Sequence, residues 1–150
     1  MATEVNFYHL TRSSLEDALP RLLQKTLQAG KRAVVLVGSP ERVDALNTRL
    51  WTYDQDAFLP HGSAREGEAD RQPVWITHLD ENPNGAAFLF VADRARSDRV
   101  ADYERCFELF DGRDESAVAD SRERWRAYKA AGHAVVYWQQ TPAGGWEKKA

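Results

Sequence analysis

The sequence predicts an α/β protein: a single-domain, three-layer sandwich built on a mostly parallel central sheet. Three observations carry this. The chain opens with the pattern strand, capped helix, strand, helix, which is the start of a layered α/β fold with right-handed crossovers. Residues 32–37 form an unbroken apolar run, RAVVLV after its first residue, and a run without alternation marks a strand covered on both faces. The length of 150 residues, 43% of them hydrophobic, suits one domain spanning 1–150 with a real core.

Each element has a local reason. Residues 5–9 read as the first strand, and the turn at 10–14 offers Ser or Thr as a helix N-cap. Residues 15–29 place Leu15, Ala18, Leu19, Leu22, Leu23 and Leu27 on one helical face, with Gly30 as the C-cap beyond them. After the strand at 32–37, the turn Gly38, Ser39, Pro40 sets Pro near the first helical position. Residues 41–51 then make a second helix with Val43, Leu46 and Leu50 inward. Residues 58–60 form a short strand, and the polar, Gly-containing stretch 61–72 reads as a mobile surface loop with His61 exposed. Strands at 74–78 and 87–91 flank the strong turn signal at 80–85. A short helix at 100–103 and a strand at 106–110 follow. Residues 111–116 supply a turn and caps for a long helix ending near Ala131, with Gly132 after it. A last strand occupies 134–139, placing Trp138 in the core. Residues 141–150 read as a flexible tail except where Trp146 docks.

Charge and cysteine use narrow the function. The formal net charge is −3, so no global basic field attracts nucleic acid, and any anion site must be local. Apolar runs are too short for a membrane span. The acidic start lacks the pattern of a signal peptide, and Cys106 is the single cysteine. Together these point to a reducing, cytoplasmic setting. Phe107, Leu109 and Phe110 around Cys106 predict a buried, inert thiol.

A nucleotide-binding or hydrolytic enzyme on this scaffold is the natural alternative, because such folds hold phosphate at the turn after the first strand. Here that turn, residues 9–14, contains no glycine, and neither the dinucleotide fingerprint nor the P-loop pattern occurs. Residues 88–93 end in Asp93 like a strand with a magnesium-binding carboxylate, yet a capping Asp explains it equally. The Gly38–Pro40 turn leaves a helix N-terminus that any anion favours. His9, His61, His78 and His133 show no metal-ligand spacing, and no serine sits in a nucleophile elbow. No catalytic residue, cofactor or metal is therefore assigned.

Binding chemistry is more legible. Read as helix, residues 122–129 place Arg122, Arg126 and Lys129 on one stripe, with Trp125 beside it and Tyr128 one turn on. A cationic stripe flanked by rings suits an acidic peptide ending in a hydrophobic residue. The competing reading is a solvated amphipathic helix whose aromatics face the core. Trp51, Tyr53, Phe58, Leu59, Pro60 and His61 gather at a helix exit. They either close the core there or form a hydrophobic patch for a partner.

The ordered motifs resemble one family along essentially the whole chain. They are the N-terminal VNFYHL, the GKRAVVLV strand entry, Leu50-Trp51 followed by Phe58-Leu59-Pro60-His61, and RERWRAYKAAG from Arg122 to Gly132. The chain resembles the chi subunit of bacterial DNA polymerase III holoenzyme. The resemblance implies a Rossmann-like, P-loop-like α/β domain without the phosphate-binding loop and without chemistry of its own. It implies two protein surfaces, with nucleic acid met only indirectly. Trp51, Phe58, Leu59 and Pro60 fall on the element that binds the psi subunit, which links chi to the clamp loader. Arg122 matches the arginine that binds the acidic, Phe-terminated tail of single-stranded DNA-binding protein (SSB). Trp125 stands at an aromatic position of that site, with Arg126 and Lys129 extending its basic stripe. Two departures stand out: Val118 occupies a place one turn before Arg122 that is usually basic, and residues 111–115 are acidic.

Overall fold

The computed structural model describes residues 3–52 and 60–150. Among them the order is β1 (Glu4–Leu10), α1 (Leu15–Gln28), β2 (Ala33–Leu36), α2 (Pro40–Thr52), β3 (Gly62–Ser63), β4 (Val74–Thr77), β5 (Phe88–Val91), β6 (Arg105–Asp111), α3 (Glu115–Ala130), β7 (Ala134–Gln140) and β8 (Trp146–Lys148). Single 3₁₀ turns occupy Ala69–Arg71 and Val100–Asp102. The strands form one sheet in the order β3-β4-β2-β5-β6-β1-β7-β8. Every pairing is parallel except β7 with β8.

The unbroken apolar strands are buried on both faces, as expected for a parallel sheet with helical layers. Alternate residues divide between two clusters. Ala33, Val35, Ile76, Phe88, Phe90 and Phe107 meet the leucines of α1 and α2. Val34, Leu36, Trp75, Leu89, Val91 and Cys106 form the other layer with Phe7 and α3. Period-two alternation across each strand decides which layer a side chain joins. Cys106 is fully buried, and burial pushes its thiol well above the ordinary range, so it is the inert core thiol its neighbours predict.

Two regions differ from the sequence reading. The stretch expected to be a mobile loop is tied down: Gly62 and Ser63 pair with β4, and Glu66 gathers bonds from Asn47 Nδ2 at 2.5 Å, Ser63 N at 2.9 Å and Ser63 Oγ at 2.8 Å. His61, expected to be exposed, is only 3% exposed. Its Nε2 lies 3.2 Å from the Asn47 carbonyl oxygen, and its ring lies under Trp51 at 4.2 Å. The C-terminal stretch forms a hairpin. β8 pairs with β7, and Trp146 meets the Tyr8 ring edge-on at 4.9 Å. Trp138 is half-buried, stacked with Tyr8 at 6.4 Å, and donates Nε1–H to Asn6 Oδ1 at 3.1 Å. The expected strand at 58–60 lies largely outside the described residues.

Candidate partner-binding notch

α3 carries the candidate site residues Arg122, Trp125, Arg126 and Lys129, and both of its ends are well specified. Asp114 caps its start, accepting from Ser116 N at 3.0 Å and Ala117 N at 3.4 Å. Its end closes on Gly132 at φ 89°, a left-handed position that favours glycine. There Gly132 N–H bonds Lys129 O and His133 N–H bonds Tyr128 O, both at 3.1 Å, the paired closure of a Schellman turn.

The inner face of α3 is not purely apolar. Arg124 is buried. Its Nη1 donates to Glu108 Oε2 at 2.9 Å, its Nη2 to the Arg94 carbonyl at 2.8 Å, and its Nε lies 2.9 Å from Asp120 Oδ2. Tyr128 O–H donates to the other Glu108 oxygen at 2.6 Å. Burial pushes the Glu108 carboxyl up, against the pull of Arg124 and Tyr128. Burial and the facing carboxylate likewise raise the Tyr128 hydroxyl, keeping it a donor. This network anchors α3 on β6. Sequence reasoning missed it, although Glu108 in the middle of an apolar strand was the available signal, since a buried carboxylate needs a partner.

The outer face presents Arg122, Arg126 and Lys129, all exposed. Among the described residues none of the three has an ion pair. Trp125 is half-buried at the junction of α3 with the sheet, 5.5 Å from Phe7 and 5.9 Å from Tyr137 between ring centroids. Lys129 Nζ stands over the indole at 5.4 Å, a cation–π arrangement. Trp125 therefore sits where α3 meets Phe7 of β1 and Tyr137 of β7, with Arg122 three residues before it on the helix. His9 of β1 and Tyr137 of β7 adjoin it, with His9 Nδ1 bonded to the Tyr137 hydroxyl. Neither was assigned from sequence. They lie 128 residues apart, and only the parallel pairing of β1 with β7 brings them together.

The second surface is partly described. Trp51, at the end of α2, is 49% exposed, and Pro60 is half-buried. Phe58 and Leu59 lie outside the described residues. Trp51 and Leu79 are the large hydrophobics standing out among the described residues.

A cleft of about 590 Å³ opens at the C-terminal ends of the central strands, where α/β folds hold nucleotides. It is already bridged. Arg42 in the first turn of α2 pairs with Glu16 at 2.7 Å and with Asp93 at 2.8 Å. Asp111, Asp114 and Asp120 add carboxylates to its wall, which disfavours phosphate. Asp93, the residue resembling a metal ligand in sequence, is thus an ion-pair partner. Among the described residues no cluster of His, Cys, Asp or Glu has metal-binding geometry.

The family model described as "DNA polymerase III chi subunit, HolC" matches residues 2–136. The chain belongs to the DNA polymerase III chi subunit family. Its curated relatives agree. A probable DNA polymerase III subunit chi from Rickettsia prowazekii is 26% identical, over 97% of this chain and 91% of its own length. The DNA polymerase III subunit chi of Escherichia coli is 25% identical, over 80% of this chain and 82% of its own. That of Haemophilus influenzae is 22% identical, over 88% and 94%. The family match spans α3 and stops one residue before Tyr137.

Proposed function

We propose that this chi-family chain is a non-catalytic bridge in the DNA polymerase III holoenzyme, joining a psi-type subunit to the acidic C-terminal tail of SSB. The observation that carries the reading is Arg122: an exposed guanidinium, without an ion pair among the described residues, beside a half-buried indole. A guanidinium fork takes a terminal carboxylate through two parallel charge-assisted bonds. The last aromatic ring of the tail lies against Trp125, where burial of a ring is worth roughly 1.5–3 kcal/mol. Arg126 and Lys129 attract the acidic residues upstream through screened charge. Ordering a flexible tail opposes these gains, so micromolar affinity, about −8 kcal/mol, is expected. Many such weak contacts along SSB-coated DNA give a hold that is firm yet exchangeable.

Trp51 is the anchor of the second surface, with Phe58, Leu59 and Pro60 as its sequence neighbours. An exposed indole at a helix end offers ring area with little charge, the chemistry of a long-lived protein contact. No helix among the described residues is long and apolar enough to cross a membrane, and an unpaired cysteine suits a cytoplasmic partner of replication.

The test is titration with a synthetic acidic peptide ending in Ile-Pro-Phe, read by tryptophan fluorescence. Arg122→Ala is expected to cost about 1.5–3 kcal/mol of binding, the usual worth of hydrogen bonds to a charged group. Unchanged affinity at low salt would remove the site from Arg122. Trp51→Ala is expected to abolish psi association and leave peptide binding intact. Loss of both interactions with folding preserved would contradict two separate surfaces.

A further inference from the structure

A second cavity, of about 280 Å³, opens between the last turns of α1 and the β7–β8 hairpin. Tyr8 of β1, Phe107 of β6, Trp138 of β7 and Trp146 of β8 all line it. Tyr8 stacks on Phe107 at 5.9 Å and on Trp138 at 6.4 Å, and Trp146 stands edge-on to it at 4.9 Å. Three of these rings are not sealed: Tyr8, Trp138 and Trp146 are half-buried. Burial pushes the Tyr8 hydroxyl up to about 12, so that ring is neutral at working pH. Both tryptophans lie beyond residue 136, where the family match ends.

The mouth of this cavity is cationic. Lys25, in the last turn of α1, and Arg105, at the start of β6, line it and are exposed. Arg105 pairs with Glu4 at 3.1 Å and lies over the Phe88 ring at 5.6 Å. Lys148 stands opposite Trp138 across the β7–β8 ladder, and residues opposed in an antiparallel pair share a face. Glu147, between Trp146 and Lys148, lies on the other face and pairs with Lys149 at 3.4 Å. Neither Lys25 nor Lys148 has an ion pair among the described residues. The rings are thus bordered by three cations, with Glu4 as the carboxylate that offsets one of them.

We propose that this groove docks an acidic peptide segment of a partner protein, one aromatic side chain entering among Tyr8, Trp138 and Trp146 while flanking carboxylates meet Lys25, Arg105 and Lys148. Pockets for drug-sized ligands begin near about 300 Å³, so this cavity suits a single side chain. Aromatic rings favour the offset and edge-on partners that its walls present. A nucleic-acid strand fits less well. Its successive bases need rings spaced along a basic track, whereas these rings converge on one cavity in a chain of net charge −3. The site is separate from Arg122, since α1 and α3 pack on opposite layers of the sheet, and side-chain carboxylates serve it without a chain terminus.

The experiment titrates the native chain with acetyl-Asp-Asp-Phe-Asp-Asp-amide, which has no terminal carboxylate, and follows the five tryptophan indole N–H signals by heteronuclear NMR. The Trp138 and Trp146 signals should move, and those of Trp51 and Trp125 should stay. Replacing the Phe of the peptide by Ala should weaken binding about tenfold or more, the worth of burying one ring. Lys25→Glu, which leaves the hairpin intact, should weaken it at least about twofold at low salt, with the gap closing as salt is added. Unmoved Trp138 and Trp146 signals at about 1 mM peptide overturn the proposal. So does an Ala peptide that binds as tightly as the Phe peptide, and so does a response confined to Trp125. If an oligothymidylate moves the same two signals at lower concentration than the peptide, the occupant is a nucleic acid and the peptide assignment falls.

Discussion

Arg122 and Arg124 stand two residues apart on one helix and are expected to fail in opposite ways when replaced by Met. Arg124 is buried against Glu108, Asp120 and the Arg94 carbonyl. Its removal leaves the buried Glu108 carboxylate with only the Tyr128 hydroxyl. Breaking a buried ion pair by deleting one partner costs about 3–5 kcal/mol. For a domain of this size each kcal/mol lowers the unfolding midpoint by roughly 2–4 °C. Arg124→Met should therefore unfold about 6–20 °C early. Adding Glu108→Gln removes the orphaned charge and should recover part of that loss. Arg122 is exposed and has no ion pair among the described residues, so Arg122→Met should change stability by no more than about 0.5 kcal/mol while losing peptide binding. The assay is thermal unfolding by circular dichroism, with peptide titration well below both transitions. Equal midpoints for the two single variants would refute the division of α3 into an anchoring face and a binding face. So would an Arg122→Met protein as unstable as Arg124→Met.

Three further outcomes follow from individual contacts. Cys106, fully buried with its thiol raised, should resist a thiol-specific reagent in the native state and react at once in denaturant. Glu66 is held down to about 2 because hydrogen bonds from Asn47 and Ser63 outweigh the opposing effect of burial. Its folded value lies below its unfolded one, so its contribution is complete above about pH 4.5 and disappears as pH falls towards 2. The difference in denaturation midpoint between the native protein and Glu66→Gln should shrink over that window. Gly112→Ala drives a methyl into the His9 ring and should cost about 1–3 kcal/mol of unfolding free energy, the usual range for overpacking. The double variant His9→Ala, Gly112→Ala should lose less than the sum of the two.

The elements with strong local signals were legible from sequence. The apolar run at β2, the leucine face of α1 and the Asp and Gly caps of α3 each match a local rule, and their ends differ by one or two residues, as hydrogen bonding at frayed ends dictates. β8 was not legible, because Trp146 to Lys148 has no apolar alternation. The strand is held by its pairing with β7 and by Trp146 on Tyr8. His61 looked like a loop residue beside a glycine, whereas in the structure it is buried, with the Trp51 ring and the Asn47 carbonyl against it. In α3 the reading picked out Arg122, Trp125, Arg126 and Lys129, and the structure puts the three cations outward with Trp125 at the junction. It passed over Arg124, because charge alone does not say which side of a helix a residue faces. His9 and Tyr137 meet through sheet register across most of the chain, a relation that no spacing rule encodes.

β8 covers the outer edge of β7, and the neighbouring chain engages the Tyr137 backbone too, through Lys149 N–H at 2.8 Å and the Ala150 oxygen at 3.1 Å. From Tyr137 to Gln140 the outer edge of β7 is thus already paired, and a visiting polypeptide cannot be added there as a strand. A partner meeting this part of the sheet margin has to be held by side chains. The hairpin thereby closes a stretch of edge that would otherwise be open to any extended segment.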